Sequence, residues 1–168
     1  MKHLYYTVIL SIFILFASVV TSFGEVPGNV FHVTQVPDGV NLTIRVKSFA
    51  GIPLKVERVR LIGLNAADVG YGHWGRQAKK LLKKIIGENA WVVNVEYDTQ
   101  QRDQQGRLLA YLWNRKGDLI NEKLIEAGYA VLNIYPPNLK YADRLTAAQK
   151  RAQAAGAGIW KKTIGSKK

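Results

Sequence analysis

The chain has 168 residues, room for one domain with its own core, and its 48% hydrophobic and 21% charged composition excludes a disordered polymer. With no cysteine, disulfides, zinc–thiolate sites and thiol catalysis are excluded as well. Lys and Arg number 24 against 12 Asp and Glu, a formal net charge of +12, and that excess favours polyanionic partners: nucleic acid or an anionic membrane surface.

The first segment reads as an export signal. Lys2 and His3 precede an uncharged run over residues 4–20, and small residues follow at Ser22 and Gly24, spaced like the positions a signal peptidase reads. A signal peptide over residues 1–24, cut after Gly24, is expected. The alternative is an uncleaved membrane anchor, because about 17 apolar residues lie at the lower limit for crossing a bilayer. Either way the folded part, residues 25–160, is expected outside the cytoplasm, secreted or periplasmic, with residues 161–168 as a basic tail.

Phe31 and Val33, then Leu42, Ile44 and Val46, alternate with polar residues, the period of half-buried strands, and Pro37-Asp38-Gly39 between them is a turn signal. Residues 56–64 alternate again, with Val59 and Leu61 on one side and Arg58 and Arg60 on the other. Trp74, Ala78, Leu81, Leu82 and Ile85 then form one helical stripe, opposite a basic face of Arg76, Lys79, Lys80, Lys83 and Lys84; Gly87 is placed to stop this helix. That basic face is either a solvated surface or a contact for phosphate.

Trp91, Val93, Val95 and Tyr97 make a fourth strand, and a polar turn over residues 100–106 leads to a fifth at residues 108–113. A short helix over residues 119–127 follows, with Asp118 as N-cap and Gly128 as stop. Pro136-Pro137-Asn138 predicts a rigid exposed loop, and a last helix over residues 141–155 buries Tyr141, Leu145, Ala148 and Ala152. Ile159 and Trp160 are expected to fold back on the core. The fold class is therefore α+β: a five-stranded OB-type β-barrel with three α-helices. Such barrels bind oligonucleotides, oligosaccharides and proteins, so the fold alone does not choose a partner.

Specific motifs narrow the choice. Residues 59–68, VRLIGLNAAD, resemble the thermonuclease segment VRLIGIDAPE, and residues 103–111, DQQGRLLAY, resemble DRYGRLLAY. Asp38-Gly39 matches the first half of a DGDT turn, and Asn121-Glu122, Gly128-Tyr129-Ala130, the Tyr135 loop and Gly158-Ile159-Trp160 follow in the same order. This ordered set resembles the staphylococcal-nuclease, or thermonuclease, family from about Phe31 to Trp160. The resemblance implies hydrolysis of DNA and RNA phosphodiesters with calcium, by way of two aspartates, a glutamate and two arginines.

The arginines have counterparts in Arg60 and Arg107; the glutamate has Asp68 as its counterpart, so the family-matched catalytic positions are Arg60, Asp68 and Arg107. The metal-binding aspartates do not have counterparts. Val40 stands at one ligand position and cannot ligate, and Asn65 stands at the other as a neutral, vestigial donor. Calcium needs about six to eight oxygens and depends on ligand charge. Asp68 is a methylene shorter than glutamate, and a displacement of about 1 Å can cost a catalytic group roughly 100-fold.

The expectation is therefore a secreted, monomeric, nucleic-acid-binding domain that holds single-stranded DNA or RNA through Arg60, Arg107 and Tyr135, with hydrolysis lost or weak and no cofactor. The alternatives are an active extracellular nuclease using Ca2+, and a non-catalytic OB module for protein or cell wall. A membrane partner enters only with the uncleaved anchor.

Overall fold

The computed structural model describes residues 29–46, 55–66 and 72–161. The segment 1–24, Asp68 and residues 162–168 of the tail lie outside the described residues. In chain order the elements are β1 (Asn29–Gln35), β2 (Asn41–Val46), β3 (Lys55–Leu61), β4 (Gly63–Ala66), α1 (His73–Glu88), β5 (Val92–Glu96), β6 (Leu108–Trp113), α2 (Ile120–Glu126), β7 (Ala130–Asn133) and α3 (Ala142–Ala155), then a single 3-10 turn, Gly158–Trp160.

Alternation puts Val33, Leu42, Ile44, Val59 and Leu61 inside, where all are buried. The strands carrying them close into a barrel in the order β1-β2-β3-β6-β5, with β5 returning to β1. All pairings are antiparallel except β3 with β6, which are parallel. Helices cover the barrel with Leu82 and Ile86 of α1, Leu124 and Ile125 of α2, and Leu145 and Ala148 of α3, all with essentially no exposure. Each such leucine or isoleucine contributes about 1.5–3 kcal/mol on burial. This is the expected α+β architecture, an OB-type barrel with three helices. One polar side chain inside it is fully satisfied: Asn121 accepts from the Leu112 amide at 3.0 Å and donates to the Ile62 carbonyl at 2.9 Å, tying α2 to the β3–β6 join.

Several local expectations are corrected. The alternating run 56–64 is two strands, because Gly63 turns the chain with φ of 81° and β4 leaves the barrel to pair with β7, a strand the sequence reading did not anticipate. The positive φ favours glycine there, and a Cβ on Gly63 would lie 2.4 Å from Leu145 Cδ1, so that the leucine tip would have to shift. Gly87 does not stop α1. The helix runs on to Glu88, and Asn89 ends it by donating through Nδ2 to the Ile85 carbonyl at 2.6 Å. Ala90 and Trp91 then adopt positive φ, so Trp91 belongs to this turn and not to a strand.

Asp118 is not the N-cap of α2, a position held by Leu119. Its carboxylate instead accepts from Asn114 Nδ2 at 2.8 Å inside the preceding loop. Tyr141 is half-buried as the N-cap of α3, its hydroxyl directed to the Glu96 carboxylate at 3.0 Å. In the loop read as exposed, Pro136 and Pro137 are exposed and joined by a cis peptide, whereas Asn138 is buried.

Candidate nucleic-acid interface

The β1–β2 turn supplies the floor of one side of the barrel. Asp38 Oδ1 accepts from the amides of Val40 at 2.8 Å and Asn41 at 2.7 Å, the self-bonding that makes aspartate a turn residue. Gly39 lies against α1 so closely that an added Cβ would be 2.3 Å from Ala78 Cβ. Val40 is 6% exposed and packs in the hydrophobic core, while its carbonyl accepts from the Leu61 amide at 3.0 Å.

Strand register brings the rest together. Asn41 is the partner of Arg60 across β2 and β3, and Arg60 in turn is the partner of Leu109 across β3 and β6. Arg107 stands two residues before Leu109, at the entrance to β6. Its guanidinium is held at both ends: Nε and Nη2 each lie 2.7 Å from Asp103 Oδ2, and Nη1 donates to Asn41 Oδ1 at 3.2 Å. The other nitrogen of Asn41 donates to Asp38 Oδ2 at 2.8 Å, so the amide bridges Asp38 and Arg107.

Asp103 works twice. Its Oδ1 accepts from the amides of Gln105 at 3.0 Å and Arg107 at 2.9 Å, shaping the turn, while Oδ2 takes the guanidinium. Burial opposes its charge, but the hydrogen bonds from Arg107 outweigh burial and hold the carboxyl below its ordinary pKa.

Arg60 is half-buried and donates through Nη2 to the Leu64 carbonyl at 3.1 Å and to Asn65 Oδ1. Burial lowers its pKa first, and the positive charge of Arg107 lowers it further, with Asp38 and Asp103 acting the other way. A guanidinium stays charged regardless. The result is a partly desolvated cation whose nearest side-chain partner, Asn65, is neutral.

Arg60 and Arg107 line one open pocket of about 190 Å³, together with Asp103, Gln100, Tyr135 and Asn138. Tyr135 stands at 69% exposure. Its loop is anchored by Asn138, which exchanges two hydrogen bonds with the Gln100 backbone at 2.8 and 2.9 Å. A larger groove of about 470 Å³ lies between α1 and α2 and contains none of these residues. Of the residues singled out in the sequence, Arg60, Arg107, Tyr135 and Asn65 thus gather on one face, Val40 points into the core, and Asp68 lies outside the described residues. Asn41, and the second role of Asp103 as an ion-pair partner, were missed. The role of Asn41 needs a correct β2–β3–β6 register, because Asn41 and Arg107 are 66 residues apart, whereas the Asp103–Arg107 pair is local, four residues apart within one turn. Among the described residues no group of three His, Cys, Asp or Glu is placed to hold a metal ion.

The barrel order and the helices packed on it define an OB-type domain. The sequence profile described as Staphylococcal nuclease homologue matches residues 58–162. The chain is 35% identical over 111 residues to Thermonuclease of Staphylococcus hyicus, covering 63% of this chain and 64% of that protein. It is 34% identical over 144 residues to Thermonuclease of Staphylococcus intermedius, covering 82% and 80%. Endonuclease YncB of Bacillus subtilis (strain 168) is 34% identical over 92 residues, covering 54% and 42%. The chain belongs to the staphylococcal nuclease family.

Proposed function

We propose that this domain binds single-stranded nucleic acid through the phosphate-facing pair Arg60 and Arg107, without a metal ion, and that calcium-dependent phosphodiester hydrolysis is lost or weak. The observation that carries the proposal is the pairing of two arginines on one pocket with a donor set that does not fit calcium. Val40 offers a buried hydrocarbon, and the side-chain oxygen of Asn65 is turned to Arg60. Both oxygens of Asp38 are committed to Val40 and Asn41. A calcium ion takes about six to eight oxygens, and charged ones set its affinity.

Arg107 and Arg60 each present a planar fork that matches phosphate oxygens. Asp103 and Asn41 fix the first fork, so less freedom is lost on binding. Tyr135, exposed beside them, offers a face for a base. The relatives named thermonuclease and endonuclease make nucleic acid the natural ligand class. The uncharged run at residues 4–20 supports export, with the domain acting as a monomer outside the cytoplasm.

The test incubates the purified protein with single-stranded DNA and calcium, with and without chelator, beside a Val40→Asp/Asn65→Asp/Asp68→Glu variant. Cleavage by the variant alone supports the proposal. Calcium-dependent cleavage by the unaltered protein overturns it in favour of an active nuclease. No DNA binding at low salt overturns it in favour of a protein- or cell-wall-binding module.

A further inference from the structure

We propose that the basic face of α1 is a second contact surface for nucleic acid, continuing the arginine pocket across the β1–β2 turn; this rests on the pocket binding nucleic acid as proposed above. Arg76, Lys79, Lys80, Lys83 and Lys84 are all exposed, opposite the buried line Gly75, Ala78, Leu82 and Ile86. The helix has one acid, Glu88, at its far end.

These charges do not serve the helix. Basic residues stabilise a helix near its C-terminus and acids near its N-terminus, yet α1 has no acid in its first turn and no base in its last. Lys79 with Lys83 and Lys80 with Lys84 are like charges four residues apart, a spacing at which they repel. Among the described residues the opposite charge that reaches these four lysines is Glu88, 3.8 Å from Lys84, between side chains 69% and 62% exposed. Among the described residues no carboxylate is within ion-pair distance of Lys79, Lys80 or Lys83. A polyanion laid on this face removes the repulsion, which solvent only screens.

The placement makes nucleic acid the occupant. Gly39 packs on Ala78, and a Cβ on Gly39 would lie 3.1 Å from the Lys79 backbone nitrogen. From the same turn, Asp38 leads through Asn41 to Arg107. The turn linked to Arg107 through Asn41 thus abuts α1 at Ala78 and Lys79, and a strand longer than the pocket is taken to cross that turn toward α1. Lys79 and Lys83 are separated by about 6 Å of helix rise, room for about two phosphates at roughly 3.4 Å each along a stacked strand.

The experiment measures the affinity of a trinucleotide and of a roughly 15-nucleotide DNA strand across a salt series. It compares the unaltered protein, Lys79→Gln/Lys80→Gln/Lys83→Gln and the corresponding Arg-substituted variant, with circular dichroism as a check on fold. The glutamine variant should bind the trinucleotide as before and the longer strand about tenfold more weakly, with a salt slope shallower by about 2, or about 0.7 per lysine. The arginine variant should retain the longer strand. Equal losses on both lengths, or none on the longer one, overturn the proposal. So does loss of binding to phosphatidylserine vesicles with DNA binding intact, which assigns the face to a membrane. Failure of the pocket reading is seen separately, as trinucleotide affinity indifferent to Arg60→Gln.

Discussion

Arg107 donates through Nη1 to Oδ1 of Asn41, 3.2 Å away, while the amide nitrogen of Asn41 holds Asp38 at 2.8 Å. A neutral side chain thus aims the guanidinium proposed to bind phosphate, without adding charge to the site. Replacing Asn41 with Ala should lower single-stranded DNA affinity about fivefold, since a hydrogen bond of this kind is worth about 1 kcal/mol. Thermal stability should change little, because Asp38 keeps its two backbone bonds. Fluorescence anisotropy and a melting curve check both halves.

Lysine should not replace either arginine. Arg107 uses three nitrogens toward Asp103 and Asn41, a geometry an ammonium cannot copy. Arg60→Lys and Arg107→Lys should each weaken binding about tenfold despite unchanged charge, as lost two-point contacts to phosphate would. Affinity measured at fixed salt decides this; lysine variants that bind normally would reduce the site to simple charge attraction.

Tyr135 tests the proposed contact with a base. Tyr135→Ala should cost about 1–3 kcal/mol for a single strand, with a smaller loss for a duplex, whose bases are already stacked. Titrating both substrates against both proteins provides the comparison.

The Gly39–Ala78 contact predicts a stability defect without a change of charge. Gly39→Ala forces a Cβ to 2.3 Å from Ala78 Cβ and should destabilise by about 1–3 kcal/mol. Ala78→Gly alone should cost about 1 kcal/mol of helix propensity. The double variant should lose less than the sum, and a denaturant-unfolding cycle measures the coupling.

Acid stability follows from Glu57. Hydrogen bonds from Arg102 at 3.0 and 3.1 Å, and then from Lys55 at 2.6 Å, pull its pKa from 4.5 to about 2. A depressed folded-state pKa means stability that is full above pH 4.5 and is lost as pH falls toward 2. Glu57→Gln should flatten that part of the stability–pH curve, recorded by chemical unfolding at several pH values.

The position of Arg60 was legible in the sequence because period-2 alternation from Val59 to Leu61 fixes its face. The same pattern hid the end of the strand. Residues 56–64 alternate throughout, and the chain turns at Gly63, with φ of 81°, to pair β4 with β7, a strand about 65 residues further on. Gly87 looked like a helix stop, but Asn89 captures the Ile85 carbonyl and allows α1 to continue past the glycine. Asp118 looked like a cap, but Asn114 binds it inside the loop first. Both misreadings are local, each set by a side chain four residues from the group it binds, a competition that a single cap or stop residue does not reveal. The Asn41–Arg107 bridge depends on two strand registers at once, and no local pattern encodes it.

The most direct test is the affinity of a short single-stranded oligonucleotide measured twice, in chelator and in millimolar calcium at matched ionic strength. Two arginines acting without a metal predict the same dissociation constant in both, within about twofold. Tightening by about tenfold or more with calcium would place a divalent ion beside Val40 and Asn65 and contradict the account.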